Sequence, residues 1–63
     1  MEFKWNDENG QIISCLEKNK ILNESIAEVG QTLKDSYEDA TLMGVSKESF
    51  MTNLQALIQR TLK

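Results

Sequence analysis

Histidine and proline are absent from this chain, cysteine occurs once and glycine three times. Each shortage removes a class of chemistry. Without histidine the commonest transition-metal ligand is missing, and with it the Glu-x-x-His di-iron pattern. A single cysteine, Cys15, rules out a disulfide within the chain and leaves any nucleophilic thiol without a base or a resolving partner. The scattered Gly10, Gly30 and Gly44 form no phosphate-cradling loop. Basic residues are outnumbered, seven to ten, giving a net charge of −3. Nucleic-acid backbone needs clustered Lys and Arg, and anionic membrane surfaces need the same sign, so neither is an expected partner. No run approaches the roughly 20 apolar residues of a membrane span, and the start MEFKWNDENG carries no signal-peptide hydrophobic region. With one unpaired cysteine, this makes the cytoplasm the expected location.

What is present is a 63-residue chain, 40% apolar and 27% charged. That is room for one domain, residues 1–63. A domain near 60 residues hides only about 60% of the surface its unfolded chain exposes. Chains of this size commonly add a disulfide, a metal or a second subunit. With the first excluded and the second short of ligands, self-association is the supplement left.

Ser14-Cys15-Leu16-Glu17 has the Ser-x-x-Glu form of a capping box, which predicts a helix starting at Ser14. From there Cys15, Asn19, Leu22, Ile26, Val29, Leu33, Ser36, Ala40 and Met43 recur in steps of four and three. This is one long helical stripe close to a 3.5-residue seam, widened by Ile21, Tyr37 and Leu42. Gly30 is its weak point, costing about 1 kcal/mol against alanine, unless it permits close approach by another backbone. The polar cluster Lys18, Asn19, Lys20 and Asn23 offers a rival reading. There the helix breaks and Asn23 caps a new one, giving three helices.

Met43-Gly44-Val45-Ser46 marks the end of that helix. Gly44 suits the left-handed position after a helix, and Ser46 suits the cap of the next. Val45 and Phe50 then stand where a hydrophobic staple would place them. So short a turn (44–46) predicts an antiparallel hairpin of helices, 14–43 and 47–62. On the second helix Phe50, Met51, Leu54, Leu57, Ile58 and Leu62 share one face, while Asn53 and Gln59 read as solvated.

Residues 1–13 read differently. Asn9-Gly10 is a strong turn dipeptide flanked by Phe3/Trp5 and Ile12/Ile13, which suggests an extended arm or small β-hairpin. A lone hairpin is marginal in water, so it must lean on the helices.

The predicted helices are unequal, roughly 42 Å and 24 Å at 1.5 Å per residue. Folded back, the shorter one leaves Cys15, Leu16, Ile21, Leu22 and Ile26 without a helical neighbour. Each large aliphatic side chain left in water forgoes about 1.5–3 kcal/mol of burial. The arm anchors Phe3, Trp5, Ile12 and Ile13 offer one cover. A second copy of the chain, completing a four-helix bundle, offers another. The two are compatible, and the seam spacing favours the dimer, with Asn19 fixing register. The expected interface is Cys15, Leu16, Asn19, Leu22, Ile26, Val29, Leu33 and Tyr37. Trp5 and Tyr37 resemble interface anchors, but in so small a protein core duty is the better reading.

Other chemistry is thinly supported. Asp7, Asn9, Gly10 and Ile12 match four positions of a calcium loop, yet Trp5 and Leu16 stand where its first and last ligands belong. Asp35, Glu38 and Asp39 form an acidic cluster near a helix end, best read as a solvated face. Cys15 is expected to be a small buried hydrophobe. Asn23-Glu24-Ser25 is a glycosylation triplet inside a predicted helix and is set aside. No cofactor, metal site or catalytic residue is expected. The functional expectation is a non-enzymatic interaction module, an adaptor, regulator or inhibitor, acting as a homodimer and on another protein. The alternative is a sensor linked to a metal or ligand through the acidic loop or helix carboxylates.

Overall fold

The computed structural model describes residues 2–63. Helix α1 runs Leu16–Leu42 and helix α2 Lys47–Thr61. No strand is present among the described residues. The molecule is mainly α, and its two helices pack as a hairpin. α1 is continuous through Asn19 and Asn23, which disposes of the three-helix alternative. With no proline in this stretch, nothing removes a ladder hydrogen bond, and the asparagine side chains bond elsewhere than to their own turns.

The chain divides into two compact units, one ending at Gln31 and the other running Thr32–Lys63. In the second unit the end of α1 is closed by its backbone. The Gly44 N–H donates to the Thr41 carbonyl at 3.0 Å and the Val45 N–H to the Ala40 carbonyl at 3.0 Å. That pair of bonds is a Schellman motif. It needs a left-handed residue after the helix, and Gly44 has φ +86°. Ser46 then sits extended (φ −73°, ψ 153°), and its Oγ accepts from the Ser49 N–H at 3.1 Å, starting α2. Across the hairpin Tyr37 and Phe50 meet edge to face, ring centroids 5.2 Å apart. Leu33, Tyr37, Ala40, Phe50 and Leu54 are half-buried.

In the first unit the Asn9-Gly10 turn forms, but not as a tight type I′ loop. Only Gly10 takes a positive φ, +82°, while Asn9 stays on the ordinary side. The Gly10 N–H closes onto the Asp7 carbonyl at 3.0 Å. Asp7 Oδ1 accepts from the N–H groups of Asn9 and Gln11, both at 2.9 Å. Beyond the turn, Asn6 and Ile12 form one isolated antiparallel bridge instead of paired strands.

No described residue is buried. The chain exposes 5958 Å². Mass scaling gives about 4,100 Å² for a folded monomer of 7.2 kDa, so roughly 1,800 Å² is in excess. Leu16 and Leu42 are each 87% exposed. Ile12, Ile21, Val29, Met43, Leu57 and Leu62 are also open to solvent.

The two glycines met along the helices have opposite constraints. Gly30 is helical with nothing within 4 Å of an added Cβ, whereas Gly44 needs its positive φ. Gly30→Ala is expected to raise stability by about 1 kcal/mol, and Gly44→Ala to lower it by about 1 kcal/mol. Urea midpoints of the two variants against the parent check this, and shifts of the same sign would contradict it.

Candidate functional site

The first unit brings most of the expected site residues together. Its chain enters extended, turns at Asp7–Gly10 and returns to the start of α1. Ile13 is the hinge of this return. Its N–H donates to the Trp5 carbonyl at 2.8 Å, and its carbonyl accepts from Asn19 Nδ2 at 2.9 Å. Both polar groups of its backbone are thereby used outside the helix. The helix accordingly starts later than the capping-box pattern suggests. Cys15, not Ser14, is the cap: its carbonyl accepts from the Asn19 N–H at 3.0 Å.

This shift also corrects the expectation for the thiol. Cys15 is exposed and free, because a cap residue turns its side chain to the first-turn N–H groups and not into the helix's inward face. The Lys18 N–H holds the thiol below its ordinary pKa. Desolvation opposes this, and the Glu17 N–H and the Lys18 charge add to the lowering.

Asn23, a helix cap only in the rival three-helix reading, has a role that sequence reasoning did not find. Its Oδ1 accepts from the Phe3 N–H at 3.0 Å and from Trp5 Nε1 at 3.2 Å. Asn19 and Asn23 lie one turn apart on the same face of α1. Both hold the N-terminal segment, one at Ile13 and the other at Phe3 and Trp5. Phe3 and Trp5 lean on each other, ring centroids 6.3 Å apart and tilted by 59°. The signal that could have revealed Asn23 is the tryptophan itself, since an indole N–H set against a helix needs an acceptor.

The remaining expected residues separate into two groups. Asn19, Leu22, Ile26, Leu33 and Tyr37 are half-buried along α1, as are Trp5 and Ile13. Leu16, Val29, Phe3 and Ile12 stay exposed, with Cys15. Between the N-terminal segment and α1 lies an open cleft of about 750 Å³. Phe3, Ile12, Ile13, Leu16 and Ala27 supply its apolar lining, and Glu2, Lys4, Lys20 and Glu24 its charges.

The carboxylates form no comparable site. Asp7 Oδ1 is engaged by two backbone N–H groups. No group of three or more Cys, Asp or Glu side chains among the described residues is placed to hold a metal ion. No helix among them is long and apolar enough to cross a membrane. No protein-family model, curated protein or solved structure matches this chain.

Asn23→Ala removes the acceptor of two donors. Loss of about 1 kcal/mol is expected, since water can still reach both. Trp5 is the only tryptophan, so its emission should move to longer wavelength as the indole is released. An unchanged emission maximum and midpoint would show that Asn23 does not hold the segment.

Proposed function

We propose that this chain is a small non-enzymatic protein–protein interaction module, an adaptor, regulator or inhibitor, that works in the cytoplasm through helical surfaces and as a homodimer. The observation that carries this reading is the absence of any buried described residue beside many open apolar side chains. A folded chain of this size has only a few kcal/mol in hand. Each large aliphatic group moved out of water adds about 1.5–3 kcal/mol. Covering a handful is therefore comparable with the whole stability of the chain.

In this reading residues 1–13 act as an arm over the front half of α1, held by Asn19 and Asn23. Two helical hairpins then associate as a four-helix bundle, which lets the long stripe of α1 meet its copy. Other proteins would be engaged by apolar side chains left open in the dimer.

Size-exclusion chromatography with light scattering at high micromolar concentration tests the proposal. A mass twice the chain's 7.2 kDa is expected. A particle that stays at the single-chain mass would contradict the homodimer.

A further inference from the structure

The N-terminal segment is bonded to itself more than to the helix it lies on. The Asp7 N–H donates to the Gln11 carbonyl, the Gly10 N–H to the Asp7 carbonyl and the Ile13 N–H to the Trp5 carbonyl. Asp7 Oδ1 adds two bonds inside the same turn. To α1, by contrast, the described residues of the segment make three hydrogen bonds, and all three end on the side chains of Asn19 and Asn23. No backbone group of α1 takes part in them. The helix therefore keeps its own ladder whether or not the segment is in place.

Apolar contact does little to fasten the segment further. Trp5 and Ile13 are half-buried, but Phe3 and Ile12 stay open, and the ring Phe3 meets is Trp5 of the same segment. Pairing is limited to the single Asn6–Ile12 bridge, and so short a pairing has little stability of its own. Because no described residue is buried, water can replace each of the three bonds to α1 as it is lost. Ser14 and Cys15, both exposed and both outside the helix, join the segment to α1.

We infer that residues 3–13 are a strap that opens from α1 in a step of its own, turning at Ser14 while both helices stay folded. Closed, the strap covers the Asn19–Asn23 face of α1. Open, it bares that face together with the Trp5 indole. Both are forms of the folded chain, because local opening follows the weakest set of contacts and does not wait for global unfolding. The inference goes beyond the interaction reading and does not depend on the homodimer.

Hydrogen exchange of the full chain, followed residue by residue by NMR, is the test. The Trp5 indole N–H and the Phe3 N–H are bonded to Asn23 and report on the strap. The Leu54 N–H, in the middle of α2, reports on the hairpin. After correction for intrinsic rates, the opening constant at the two strap groups should exceed that at Leu54 by on the order of tenfold or more. Asn19→Ala removes the bond to the Ile13 carbonyl, which neither strap reporter shares. A strap that moves as one piece should nevertheless open roughly fivefold more often at the Trp5 indole, with Leu54 not accelerated. Equal opening at Trp5 and Leu54 in the wild-type chain overturns the inference. So does an Asn19→Ala chain in which the indole is unaffected, or in which Leu54 accelerates as much as the indole. Were that variant to lose its helical circular dichroism, the wild-type comparison decides alone.

Discussion

Removal of apolar side chains from water is what a chain of this size must achieve, and here it is achieved only in part. Ordering one residue costs about 1–2 kcal/mol of backbone entropy. Apolar burial is the main term available against it. A bundle of two helices presents each apolar stripe to one neighbour and leaves its flanks open. The result is a chain in which Leu33, Tyr37, Phe50 and Leu54 are half-buried and no described residue is fully enclosed. Helical propensity does not make up the shortfall, because helices in proteins gain most of their stability from packing.

The long stripe of α1 is served by two different devices. Its rear half belongs to the unit containing α2, where an edge-to-face Tyr37–Phe50 pair supports the hairpin. Its front half is held to the N-terminal segment by asparagine side chains. Hydrogen bonds of this kind contribute about 1 kcal/mol each and are directional, so they set where the segment lies more than how stable it is. They also account for polar residues in an apolar stripe. Asn19 and Asn23 give up hydrophobic contact and gain three bonds to the N-terminal segment.

Much of the hairpin was legible in the sequence because its determinants are local. Gly44 and Ser46 act within a few residues of themselves, and the spacing from Leu22 to Ala40 repeats one helical face. Val45 and Phe50 occupy the staple positions, and Phe50 is half-buried while Val45 stays open. The N-terminal half was less legible because its determinants are not local. The bond from Trp5 to Asn23 spans 18 residues, and no pattern of spacing announces it. The same distant contacts displaced the helix start. Ser14 has the better capping side chain, but Ile13 is fastened to Trp5 and Asn19, and the first helical carbonyl falls to Cys15. The expectation of a buried thiol failed for the same reason. Among Asp7, Asn9 and Gly10 the residues favoured a plain turn over a calcium loop, and the turn engages the Asp7 carboxylate.

The homodimer we propose would complete this fold by covering apolar side chains that the single chain leaves open. Folding coupled to self-association makes the melting temperature depend on protein concentration, because mass action favours the assembled state. Thermal unfolding followed by far-ultraviolet circular dichroism from low to high micromolar chain is the most direct measurement. A melting temperature that climbs steadily over that range is the result expected, and one that stays constant would contradict the account.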